Sequence, residues 1–165
     1  MRRLAPVSDD AGYDSIWVSD RTVFPVDLAD RYPGMFGPGH ANPEAQNVLE
    51  ALTTLSYVAG STKKVRFGVS ILVLPFRNTI LNAKMITTLD VLSGGRATLH
   101  LDDAQFDESG IRVILTGRTQ EVIDNLKRHE EAGLEYMALS VAARDADSTI
   151  DAIKRFAEDV QPRFQ

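Results

Sequence analysis

Four times in this chain a stretch of helical spacing closes on glycine and gives way to a short apolar or β-branched run. The joint reads Ala11-Gly12-Tyr13-Asp14 before Ile16-Trp17-Val18, and Ala132-Gly133-Leu134-Glu135 before Met137-Ala138-Leu139. Gly60 and Gly94-Gly95 stand in the same place ahead of Val65 and Ala97. Glycine at such a joint can take the left-handed conformation that ends a helix, with an apolar residue packing back on it. Alternating helices and strands are joined most simply as parallel strands with crossover helices, so the repeat excludes a helix bundle or a sandwich. Five strands are predicted, over Ser15–Ser19, Val65–Leu74, Ala97–Leu101, Ile111–Thr116 and Tyr136–Val141. Helical spacing is carried by Val48, Leu49, Leu52, Leu55 and Val58, and by Ile80, Leu81, Met85, Leu89 and Leu92. Val122, Ile123 and Leu126 carry it again, as do Ile150, Ile153, Phe156 and Val160.

The expected fold is therefore α/β, a parallel (β/α) barrel-type sheet, in one domain spanning residues 1–165. At 165 residues the chain falls short of the roughly 200 to 250 that a closed eight-stranded barrel usually needs, so an incomplete barrel is predicted. A net charge of −5 supplies no electrostatic footprint for nucleic acid or an anionic membrane. The chain has no cysteine, which excludes disulfides and thiolate chemistry and fits a cytoplasmic protein. Behind Arg2 and Arg3 there is no apolar h-region, so no signal peptide is predicted. The longest apolar stretch, Phe67 to Phe76, is broken by Gly68, Ser70 and Pro75 and is far short of the ~20 residues of a membrane span.

In parallel α/β folds ligands gather beyond the carboxyl ends of the strands, so the residues after each run are the candidates. Ser19, Asp20 and Arg21 follow the first strand, where a carboxylate beside a guanidinium can orient a polar ligand or merely cap its loop. After the second strand, Arg77 can meet an anion and Asn78 can cap the helix that opens at Thr79. After the fourth, Thr119 is the expected N-cap and Arg118 the partner of a phosphate at that helix start. His100, Asp102 and Asp103 lack further ligands at metal spacing, so no metal is assigned. His40 and His129 read as solvated and Trp17 as core. The Pro- and Gly-rich stretch from Val23 to Ala45 reads as a functional loop or lid.

The run Ala11 to Asp20 resembles the second-strand segment of the bacterial luciferase-like monooxygenase superfamily. Val65 to Asn78, Ala83-Lys84-Met85 and Thr88 to Arg96 are similar to the third strand, third helix and following turn of its deazaflavin-dependent branch. Thr116 to Ile123, continuing to Ala132-Gly133-Leu134, resembles the late segment near the C-terminal end of that family's barrel. The resemblance implies a parallel barrel with a deazaflavin (coenzyme F-420) or FMN at the strands' carboxyl ends, exchanging hydride or activating oxygen. Carried over by position, it implies that Asp20 is the catalytic residue beside the cofactor ring. It further implies that Leu72, Val73 and Leu74 pass beneath the ring and that Arg77 or Arg118 meets an anionic tail. Two departures stand out. Arg21 replaces the histidine common in that branch and cannot exchange a proton at neutral pH. Ala97 to Asp103 replaces a glycine-rich segment, with an apparent deletion near residues 102–110.

Two functions are compatible with this sequence. One is a flavin- or deazaflavin-dependent oxidoreductase, a luciferase-like monooxygenase acting on a small organic substrate. The alternative is a non-catalytic remnant of that family, serving as a binding or oligomerisation module. An open sheet leaves an edge and an apolar face uncovered, so a homo-oligomer is expected, without nucleic-acid or membrane partners.

Overall fold

Strand β1 (Ser15–Val18), preceded by helix α1 (Leu4–Asp10), is the first expected strand to form. The computed structural model describes residues 1–21, 23, 26–31, 48–98, 117–133, 137, 139, 141 and 145–164. Its contacts divide the chain into two units, Ser15–Leu99 and Met1–Asp14 with His100–Gln165.

In the first unit β1, β2 (Arg66–Val69) and β3 (Ala97–Thr98) lie in the order β1-β2-β3, all parallel, as the alternation predicts. Ser15 stands opposite Arg66 and Val18 opposite Val69, while Phe67 and Gly68 face Ala97 and Thr98. Parallel strands need a return path, and it runs through α2 (Leu28–Arg31) and α3 (Ala51–Ser61), then through α4 (Thr79–Ser93). Phe67, Val58 and Val65 are fully buried, with Ala51, Leu52, Leu55 and Leu89 around them. Each such side chain contributes about 1.5–3 kcal/mol on burial, which makes these the main fasteners of helix to sheet.

Local chemistry sets the helix ends. Glu50 caps α3, its carboxylate accepting from the amides of Leu52 (3.1 Å) and Thr53 (2.7 Å). Asn78 caps α4 as the sequence predicts, with Oδ1 accepting from the Leu81 amide at 3.0 Å. Helix α4 closes on Gly94 and Gly95, whose φ angles are 74° and 82°, and the Gly95 amide donates to the Asp90 carbonyl at 2.9 Å. Gly12 and Gly133 also take positive φ. Gly60 does not follow the expected design. It lies inside α3, whose end is instead held by the Ser61 and Thr62 hydroxyls donating to the Val58 carbonyl at 3.2 and 2.7 Å.

Two further expectations are corrected here. The second strand stops at Val69 rather than Leu74, because Ser70 and Ile71 bend away into a 3-10 turn at Leu74–Phe76 that contains Pro75. The face of α4 is also turned from the expected one. Ile80, Leu81 and Leu92 are exposed, while Asn82, Leu89 and Ser93 are buried. Ser93 explains part of that rotation: its hydroxyl donates to the Asp90 carbonyl and accepts from the Arg96 amide, a bond that draws this edge of the helix inward.

In the second unit α5 (Thr119–Glu131), α6 (Ala146–Arg155) and the π-helical turn Phe156–Val160 assemble with α1. Ile123, Leu126 and Val160 form the buried cluster, with Val122, Met137, Phe156 and Phe164 packed on it. Of the apolar positions read from the sequence here, Ile123, Leu126, Ile150, Ile153 and Val160 are buried, and Val122 and Phe156 are partly buried. Tyr13 stacks on Phe156 with centroids 6.4 Å apart and donates its hydroxyl to the Ile153 carbonyl at 2.9 Å. The fourth expected strand, His40 and the His100, Asp102 and Asp103 group lie outside the described residues, as does the apparent deletion. Of the fifth strand, Met137, Leu139 and Val141 are described and lie in no strand. Most of the loop from Val23 to Ala45 is likewise outside, although α2 falls within it. No helix among the described residues is long and apolar enough to cross a membrane.

Candidate functional site

Beyond the carboxyl end of β1 the chain places Asp20, and beyond β2 it places the loop from Ser70 to Asn78. The two are tied together. Asp20 Oδ2 accepts from the Val73 amide at 2.9 Å, and Arg77 donates Nη2 to Asp20 Oδ1 at 2.8 Å and Nε to Oδ2 at 3.3 Å. The Asp20 side chain is 1% exposed and that of Arg77 14%. Arg77 reaches further, donating Nη2 to Glu50 Oε1 at 2.8 Å. One guanidinium thus joins the end of β1, its own loop and the cap of α3.

Burial pushes the Glu50 carboxyl up, but hydrogen bonds from the Thr53 hydroxyl and amide, from Arg77 and from the Leu52 amide outweigh it and hold the pKa at about 2. The Arg77 guanidinium is held above its ordinary value, chiefly by the hydrogen bond to Asp20 and against its own burial, with Glu50 adding to the effect. Two carboxylates face one guanidinium, so the cluster carries a net negative charge. Removing one partner of a buried pair of this kind costs on the order of 3–5 kcal/mol, because the other charge is left unpaired.

The loop is hydrogen-bonded along its own backbone. Val73 has φ −82° and ψ 83°, and Leu74 N donates to the Leu72 carbonyl at 3.0 Å, which together make an inverse γ-turn. Arg77 N then donates to the Leu74 carbonyl at 2.9 Å. Outward from this backbone stand Ile71, Leu74 and Phe76, each more than half exposed. On the inner side Leu72 joins Leu52, Leu55, Phe67 and Leu89 in lining a cavity of about 410 Å³. That volume lies in the range of small-molecule sites, and its walls are mostly aliphatic.

The structure therefore brings together Asp20, Leu72, Val73, Leu74 and Arg77 among the residues singled out from sequence. Arg118 belongs to the other unit. There it occupies the N-cap position of α5, and Thr119, the expected cap, is the first helical residue. The Glu121 carboxylate folds back onto the Arg118 amide at 2.8 Å, so a carboxylate already sits where a phosphate was expected. His129 is half-buried and pairs Nδ1 with the Asn125 carbonyl at 2.8 Å rather than standing in water. Among the described residues no group of His, Cys, Asp and Glu could hold a metal ion.

Two residues went unmarked in the sequence. Glu50 is one, and its signal is an acidic residue directly ahead of the first buried turn of α3. Arg96 is the other, a buttress beneath the site rather than part of it. Its five N–H donors are all used, on the carbonyls of Ser93, Val65, Ala59 and Thr62 and on the Thr62 hydroxyl. Its guanidinium carbon also lies 5.3 Å from the centre of the Phe67 ring.

A short parallel sheet with crossover helices, and polar groups gathered past its strand ends, defines an α/β protein. The class can be narrowed. The family model for luciferase-like monooxygenases matches residues 1–103, and the chain belongs to that family. Among curated proteins, an uncharacterized protein of Mycobacterium bovis and one of Mycobacterium tuberculosis are each 26% identical over 105 residues, covering 64% of this chain and 36% of their own length. The chain thus spans about a third of the length of these curated relatives, 36%. No solved structure matches.

Proposed function

We propose that this chain serves a flavin- or deazaflavin-dependent oxidoreductase acting on a small organic substrate, with the three parallel strands forming part of a barrel-type fold. Family membership over residues 1–103 supports the reaction class. The observation that carries the reading is the fixed apolar loop at the carboxyl end of β2, with Leu72, Val73 and Leu74 on it and Asp20 holding it from below. Such a surface suits a flat ring, since apolar contact is available on a turn already held by hydrogen bonds. A flavin or deazaflavin bound there supplies the hydride exchange or oxygen chemistry that the side chains themselves lack. Asp20 orients the loop through the Val73 amide, and the apolar residues exclude water from the ring face. The fit is good for a ring and poor at Arg77 for a phosphate tail, because Asp20 and Glu50 already claim that guanidinium.

The test is a titration of the whole protein with FMN and with the deazaflavin coenzyme, following the visible absorption band, in wild type and Asp20→Ala. Saturable binding in wild type that weakens in the variant is expected. No saturable binding to either removes the reading. A second reading, a binding module without turnover, is favoured by one observation: both Asp20 oxygens are occupied within the protein. Saturable binding with no reduction of the ring by any hydride donor would select it. Self-association belongs to the same proposal and is supported by Ile80, Val91 and Leu92, which stand exposed on α4. Light scattering at micromolar concentration that reports a stable monomer counts against it.

A further inference from the structure

A lone arginine near a cofactor site invites the view that it holds the anionic tail. The geometry here is arranged for something else. Arg77 presents Nε and Nη2 to the two oxygens of a carboxylate that is itself almost wholly buried, and spends Nη2 a second time on Glu50. That same carboxylate takes the amide of Val73, the central residue of the inverse γ-turn. The chain of contact runs from guanidinium to carboxylate to backbone to the turn that displays Ile71, Leu74 and Phe76. A side-on bidentate grip on a phosphate, through Nε and Nη2, would require breaking the grip on Asp20, and an end-on one, through Nη1 and Nη2, would compete with Glu50 for Nη2.

We propose that Arg77 is a positioning residue for ring binding, acting through Asp20 on the Leu72-Val73-Leu74 turn, and that it makes no contact with the cofactor's phosphate. This rests on the proposed binding of a flavin or deazaflavin ring. Its consequence is specific to the kind of ligand. Loss of a phosphate contact weakens only ligands that carry a phosphate, whereas loss of a positioned turn weakens every ligand with the ring.

The experiment compares FMN with riboflavin, which has the same ring and no phosphate, and the deazaflavin coenzyme with its phosphate-free core. Dissociation constants and the shift of the visible band are measured for wild type, Arg77→Gln, Arg77→Lys and Asp20→Asn. Expected is a loss of about tenfold for phosphate-bearing and phosphate-free ligands alike in Arg77→Gln, with the ratio between them unchanged, since the cost is that of ordering the turn. The band shift on binding should shrink in Arg77→Gln and Asp20→Asn together. Arg77→Lys should recover part of the affinity, because an ammonium can still reach Asp20 but cannot fork. A fall confined to FMN and the deazaflavin coenzyme overturns the proposal while leaving ring binding intact. Failure of wild type to bind any of the four ligands overturns both. Should Arg77→Gln fail to fold, the ligand ratio in Arg77→Lys and Asp20→Asn decides the question alone.

Discussion

Trp17 lies against Gly68, its partner in strand register, so closely that no side chain could stand between them. A Cβ built on Gly68 would fall 2.6 Å from Trp17 Cζ3 and 2.8 Å from the Thr98 carbonyl oxygen. The ring is fixed from its other end, where Nε1 donates to Ser15 Oγ at 2.9 Å. Glycine at this point of β2 is therefore a packing requirement, imposed by the indole on one neighbour and the backbone of β3 on the other.

Gly68→Ala should destabilise the protein by about 1–3 kcal/mol, the usual range for overpacking, since one of the clashes is with backbone that cannot swing aside. The urea midpoint reads the loss. Fluorescence reads its location, because Trp17 is the chain's one tryptophan and its emission should shift with the displaced ring. An unchanged midpoint and spectrum would contradict the packing described.

Arg96→Lys should cost on the order of 3 kcal/mol, because an ammonium cannot satisfy the fan of carbonyls that a guanidinium reaches. The carbonyls of Ala59, Thr62 and Val65 would lose their donors at once. Thermal unfolding of the two proteins side by side checks this, and a variant that melts with wild type would show that the arginine is dispensable.

Acid should find Glu50. Its folded pKa of about 2 lies below the ordinary 4.5, so its contribution to stability is present in full above 4.5 and is lost as pH falls toward 2. Glu50→Gln should be less stable than wild type at neutral pH, with the difference narrowing as pH falls from 4.5 toward 2. Urea midpoints across that window test it; a difference independent of pH would assign the effect to something other than the charge.

Features set by a few neighbouring residues were legible in the sequence. Asn78 announced the start of α4, Gly94 and Gly95 its end, and the alternation announced parallel strands. Asp20 and Arg77 were both singled out, but as separate groups facing a ligand. Their pairing joins positions 57 residues apart and depends on how two strand ends come to lie together, which no local pattern encodes. The face of α4 was misjudged for a related reason. With Ile80, Leu81, Met85, Val91 and Leu92 spread around the helix, periodicity alone does not choose a side, and the bonds among Ser93, Asp90 and Arg96 do. At α5 the expected cap was one residue off, because Arg118 is not a usual capping residue, and the contact that the Glu121 carboxylate makes with its amide became visible only in the fold.

Tyr13 and Ile153 are joined across 140 residues of sequence, and Gln161 reaches the Gly12 carbonyl across 149. During synthesis the three paired strands are all available once Thr98 has emerged, whereas the segment from Leu4 to Tyr13 must wait for residues near Ile153. The segment from Leu4 to Tyr13 thus docks only after α6 has been made, and until then α1 carries Ala5, buried in the finished fold, without that partner. A ribosome stalled before α6 would display the three strands together with an undocked α1, a state that chaperones and proteases can tell from the finished protein.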